Sequence, residues 1–144
     1  MSRTVAIFMI FIALLLSACK STDTPSPSVE VVGQQISVPG GVYTDVTVAE
    51  LQVMLANKDF TFVNVHIPFE GNIANTDLSI AYDEIDQNLG QLPADKAAKI
   101  VLYCRSDRMS NIAAETLVDL GYTNIWNLDG GMVAWELAGL PLER

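Results

Sequence analysis

The chain has 144 residues, enough for one domain of ordinary size with its own core. Half of them are hydrophobic and 17% are charged, which excludes a globally disordered chain. Lys and Arg number 8 against 17 Asp and Glu, a net charge of −9, and so acidic a surface repels nucleic acid and anionic lipid. An anionic substrate would need a local positive pocket working against the field of the whole molecule.

Residues 1–18 read as an export signal. Arg3 gives a positive start, and Val5 to Leu16 is an unbroken apolar run. Twelve residues make about 18 Å of helix at 1.5 Å each, short of a hydrocarbon core of about 30 Å, so the run fits a signal-peptide core and not a membrane span. Leu16-Ser17-Ala18-Cys19 follows and resembles the bacterial lipobox, in which the cysteine becomes the lipidated first residue. That resemblance implies a domain tethered to a membrane at the cell envelope through Cys19. An ordinary secretory signal with an incidental cysteine is the other reading, and the choice of inner or outer membrane stays open. Residues 19–41 are expected to be a linker. Ser21 to Ser28 (STDTPSPS) has two prolines and no apolar period. VEVV and ISV beyond it suit either a short strand pair or an adherent arm.

The folded domain is expected over 42–144. Val42 to Thr44 predicts a short strand. Thr47-Val48-Ala49-Glu50 is a capping-box pattern opening a helix whose Val48, Leu51 and Leu55, with Met54 as a further candidate, share a face. Phe60 to Val65 predicts a strand ended by Pro68, and residues 72–76 a loop. Tyr82 to Leu89 predicts a short helix. Ile100 to Tyr103 is a continuous apolar run, typical of a buried parallel strand. Asn111 to Leu120 predicts a helix with Ile112, Ala113, Leu117 and Leu120 inward and Gly121 just past its end. Asn124 to Leu128 predicts a strand, and Met132 to Ala138 a last helix. This alternation specifies an α/β domain with a mainly parallel central sheet and helices on both faces.

The chemistry concentrates in one loop. Cys19 and Cys104 are the two cysteines. If lipid takes Cys19, Cys104 has no partner in its own chain, and an exported protein rarely keeps a thiol without a reason. It is either a buried, hydrophobe-like residue or a nucleophile. Cys104 follows a buried strand and precedes a helix, and parallel sheets bind ligands beyond the carboxyl ends of their strands. Main-chain N–H groups of a tight loop and a helix start form an anion-binding nest that favours thiolate. Arg105 and Arg108 add positive charge, and Asp107 subtracts some. A thiolate held this way can take the outer sulfur of a donor as a persulfide and pass it on, dividing one hard transfer into two easier ones.

At this point the sequence resembles the rhodanese (sulfurtransferase) family, over about Tyr43 to Leu142. The resemblance rests on three pieces in order: VLYCRSDRMS, AAETLVDLGYTNIWNL, and Asp129-Gly130-Gly131-Met132-Val133-Ala134-Trp135, which is similar to the family's terminal GGxxxW segment. It implies a single rhodanese-like domain with Cys104 as the persulfide carrier and Arg105, Ser106, Asp107, Arg108, Met109 and Ser110 as the substrate-binding bed. No cofactor is implied. The partners are a small sulfur donor or a protein thiol or persulfide. Three departures stand out. Asp107 replaces a glycine common in bacterial members, at a position expected to favour left-handed backbone. Asn64-Val65-His66-Ile67-Pro68-Phe69-Glu70 stands for D-V-R-x-P-x-E, with Asn64 and His66 replacing the acid and the arginine. The GHIPGA-like segment is reduced to about residues 72–76.

Residue by residue, His66 reads as a hydrogen-bonded residue at a strand end. Trp126, Trp135, Tyr103 and Tyr122 read as packing, and Gly130 and Gly131 as allowing close backbone approach beside the loop. No cluster has metal-ligand spacing. Two functions compete: a membrane-tethered sulfurtransferase, and an interaction module that keeps the scaffold without the chemistry. A phosphatase or arsenate reductase on a related scaffold ranks last. Its C-x5-R loop would need arginine where Ser110 stands, and Arg108 comes too early.

Overall fold

The computed structural model describes residues 28–144, and the expected signal segment, Cys19 and nearly all of the spacer lie outside it. A six-stranded sheet comprises β1 (Gln34–Val38), β2 (Gly41–Val46), β3 (Thr61–Asn64), β4 (Leu78–Ser79), β5 (Ile100–Tyr103) and β6 (Ile125–Leu128). Its spatial order is β1-β2-β6-β5-β3-β4, with only the β1–β2 pair antiparallel. Three α-helices, α1 (Val48–Ala56), α2 (Arg108–Asp119) and α3 (Gly131–Leu137), and a 3₁₀ helix over Ile85–Gln91 cover it. No helix among the described residues is long and apolar enough to cross a membrane.

Strand β5 organises the interior. Its successive side chains go to opposite faces, as the strand period requires. Ile100 and Leu102 pack with Ala113, Ala114 and Leu117 of α2, while Val101 and Tyr103 pack with Leu51 of α1 and Met132 and Trp135 of α3. With both faces covered, all four residues of β5 are fully buried and uniformly apolar.

Local chemistry sets the helix ends. Thr47 accepts the Glu50 N–H, and the Glu50 carboxylate accepts the Thr47 N–H, so the capping box forms as its spelling predicts. After α2 the N–H of Gly121 donates to Val118 and that of Tyr122 to Leu117, with Gly121 at φ +88. This paired closure needs a residue that tolerates left-handed backbone. The end of α3 repeats it at Gly139 and Leu140.

Three expectations are corrected. The sheet begins at Gln34, inside the expected 19–41 linker and ahead of the expected boundary at Val42. Ile36 and Val38 alternate with polar neighbours and pack on the core, and the chain turns at Pro39-Gly40 into β2, so ISV is a strand. Ile112 and Leu120 are exposed, 38% and 39%, not inward. Helix α2 starts at Arg108, so its buried stripe runs Ser110, Ala113, Ala114, Leu117, Val118, the i, i+3, i+4, i+7, i+8 pattern one turn earlier. The helix expected over Tyr82–Leu89 is a 3₁₀ segment over Ile85–Gln91, broken at Asn88.

Candidate active site

Cys104 lies one residue past β5 and continues its alternation onto the α2 face. Its side chain is 2% exposed, but it is not walled off. It lines a pocket of ≈ 200 Å³ together with His66, Arg105, Ser106, Arg108 and Met109. The carboxyl end of a central parallel strand and the start of a helix thus meet at one sulfur, as the topology predicts.

The loop is shaped from behind. The N–H of Met132 donates to the carbonyl of Cys104, and that of Val133 to the carbonyl of Arg105, each at 2.9 Å. In a trans peptide the C=O and the following N–H point opposite ways. Tying those two carbonyls to α3 therefore turns the N–H groups of Arg105 and Ser106 away from α3. Among the described residues, no main-chain N–H from Arg105 to Ser110 donates to a protein acceptor. Six consecutive unengaged amides beside a pocket form the polar setting an anion or thiolate requires.

Gly131 permits this arrangement. It has φ +53, and a Cβ there would lie 2.3 Å from the Cys104 oxygen and 2.9 Å from both the Arg105 carbonyl carbon and the Ser106 oxygen. Asp107 supplies a second tie, its Oδ1 accepting the Gly130 N–H at 2.7 Å. Burial pushes the Asp107 carboxyl up, the Gly130 N–H opposes that, and Asp129 adds to it. The expected left-handed conformation at Asp107 is not found. Its φ is −148 with ψ −38, so the position does not need the positive φ that favours glycine.

The predicted bed thus divides. Arg105, Ser106, Arg108 and Met109 face the pocket, whereas Asp107 and Ser110 support the loop. Ser110 is fully buried. Its hydroxyl accepts the Cys104 thiol at 3.4 Å and donates to the Asp107 carbonyl at 3.1 Å.

Two residues outside the predicted set complete the site. His66 borders the pocket and its Nε2 lies 2.9 Å from Glu70 Oε2. The same oxygen accepts from Arg105 at 2.7 Å. That guanidinium holds the Glu70 carboxyl below its usual range, burial opposes it, and the His66 contact helps. Two signals pointed here: the retained Glu70 of the P-x-E pattern, and its i, i+4 spacing from His66. Asn64 sits behind them, fully buried. Its amide donates to Gly71 O and Asn72 Oδ1, and its oxygen accepts the His66 N–H.

A lone thiol in a strand–loop–helix turn, at the mouth of a parallel sheet and braced by a terminal glycine pair, defines the class of α/β single-cysteine domains. The model of the rhodanese-like domain matches residues 49–138, and the chain belongs to that family. It is 34% identical over 102 residues to an uncharacterized protein of Synechocystis, covering 68% of this chain but only 56% of that protein. A sulfurtransferase of Allochromatium vinosum is 32% identical over 94 residues, covering 63% of this chain and 85% of that one. Thiosulfate sulfurtransferase GlpE of Vibrio cholerae is 29% identical over 104 residues, 71% of this chain and 94% of that one. Among solved structures, a rhodanese-related protein from Thermoplasma volcanium superposes with TM-score 0.58 at 31% identity, over 68% of this chain and 95% of that one.

Proposed function

We propose that the protein is a rhodanese-type sulfurtransferase held at the cell envelope by a lipidated Cys19. Cys104 attacks the outer sulfur of a donor, carries it as a persulfide and passes it to a thiophilic acceptor. The observation supporting this reading most directly is the position of Cys104 on an open pocket, beside six main-chain N–H groups without protein acceptors. Such amides stabilise negative charge on a sulfur and on the group it displaces. The sulfurtransferase names of the relatives agree with it.

Intact-mass measurement after incubation with thiosulfate tests the chemistry. One added sulfur atom is expected on the wild type and none on Cys104→Ala. No added sulfur from thiosulfate or from a protein persulfide would refute the proposal. For the anchor, a lipid-labelled protein in the membrane fraction is expected, with label and membrane association both lost in Cys19→Ala.

A non-catalytic docking module is the second reading. It is favoured by Glu70, which pairs with Arg105 and so removes one of the pocket's two arginine charges. Full cellular function in a Cys104→Ala strain would favour this alternative.

A further inference from the structure

His66 stands where the family pattern has arginine, and its surroundings give it a different task. His66 is among the residues lining the Cys104 pocket, and its side chain is only 6% exposed. An ionised carboxylate can only accept, so the contact to Glu70 places the ring hydrogen on Nε2. The lone pair of the neutral ring is then on Nδ1. That atom is buried and has no hydrogen-bond partner. A buried acceptor without a donor is costly, and a donor entering the pocket relieves it.

The charges around the ring point to a neutral visitor. Arg105 is paired with Glu70, and Asp107 lies behind the loop. Among the described residues Arg108 is the one pocket-lining cation without a salt bridge. A multiply charged anion therefore meets one free cation, whereas an S–H group needs no cation and can donate to an acceptor left unpartnered on a pocket-lining residue.

We infer that His66 is the proton acceptor for a neutral thiol that enters the pocket to collect sulfur from Cys104, with Glu70 as the positioning residue that fixes the tautomer. The inference rests on the sulfurtransferase reading and assigns its second half. The thiol R–SH gives its proton to Nδ1, and the resulting imidazolium is balanced by Glu70. The thiolate attacks the outer sulfur of the Cys104 persulfide. A bond forms between R–S and that sulfur, the S–S bond to Cys104 breaks, and its electron pair remains on Cys104 as thiolate. The thiolate then recovers the proton from the imidazolium. R–SH becomes R–S–SH, Cys104–S–SH becomes Cys104–SH, and no outside oxidant or reductant takes part. An adjacent base oriented by a third group is the general arrangement for such proton transfers.

The test loads the whole protein with thiosulfate, confirms the persulfide by mass, and times its discharge by two acceptors. 2-Mercaptoethanol brings a proton, whereas 4-nitrothiophenolate is already ionised in neutral buffer. For His66→Gln the ratio of the two discharge rates is expected to fall about 100-fold, in favour of the thiolate, the usual scale of general-base catalysis. Glu70→Gln provides a second variant at an exposed position. Its amide can donate to Nε2 and move the ring hydrogen to Nδ1, so the ratio is expected to fall there too. A ratio unchanged in both variants overturns the inference, as does equal slowing with both acceptors. If the wild type takes up no sulfur, the sulfurtransferase reading fails first and this one falls with it. If it loads normally and the ratio ignores His66, only the proton acceptor is misassigned.

Discussion

Replacing Gly131 by alanine tests the close approach between α3 and the cysteine loop. The added Cβ would meet three main-chain atoms, the Cys104 oxygen at 2.3 Å and the Arg105 carbon and Ser106 oxygen at 2.9 Å. Backbone cannot swing aside as a side-chain tip can, so either α3 retreats or the loop opens. The φ of +53 adds left-handed strain of about 1–2 kcal/mol for a residue with a Cβ. Forcing an atom into filled space costs about 1–3 kcal/mol, and loss of one of the Met132 or Val133 hydrogen bonds about 1 kcal/mol more. The sum is about 3–6 kcal/mol, a large share of a small domain's stability. Gly121→Ala is the matched control, because Gly121 has φ +88 and nothing within 4 Å of its would-be Cβ. It should lose about 1–2 kcal/mol, from strain alone. Urea unfolding followed by the fluorescence of Trp126 and Trp135 measures both. With a slope of about 1–3 kcal/mol per molar urea, a gap of about 3 kcal/mol separates the midpoints by about 1–3 M. Coincident midpoints would refute the steric account.

Three further outcomes follow from the described contacts. Burial pushes the Glu50 carboxyl up, but N–H groups of Gly33, Thr47 and Val32 and the Thr47 hydroxyl outweigh it and bring it from 4.5 to about 2. Its depressed value stabilises the fold above pH 4.5, and that contribution is lost as pH falls toward 2. Glu50→Gln should therefore flatten the acid limb of a stability–pH curve measured by urea melts. Tyr103→Phe removes the hydroxyl that accepts the Ile73 N–H at 3.0 Å and contacts Thr76. A buried donor left unmatched should cost about 1–3 kcal/mol in the same melts. Ser110→Ala deletes the acceptor of the Cys104 thiol and a donor to Asp107, and should cost about 1 kcal/mol and slow persulfide loading measured by mass.

What the sequence disclosed depended on whether a local rule governed the residue. The apolar run Ile100 to Tyr103 is typical of a strand covered on both sides, and it is β5 without adjustment. Thr47 and Glu50 fix the start of α1 by their own hydrogen bonds, and Gly121 the end of α2. Strand β4 has two residues and forms through pairing with β3, so Leu78-Ser79 carries no period to detect. The face of α2 was misread because its first turn is Arg108, Met109 and Ser110, whose polar members resemble loop. In the site, Cys104 and its loop were legible from the strand-to-helix transition. The joining of Glu70 to Arg105 was not, since it spans thirty-five positions and brings the segment after β3 to the loop after β5. The division of the bed into lining and supporting residues also required the loop's course in space.

The two amides that α3 gives to the carbonyls of Cys104 and Arg105 also have a consequence in time. Translation runs from the amino end, so the ribosome finishes the thiol well before it finishes Gly131, Met132 and Val133. A nascent chain halted between those points has its sulfur but nothing to mould the loop around it. Whatever reactivity the moulded loop confers on Cys104 should therefore appear only after Val133 has been added to the chain.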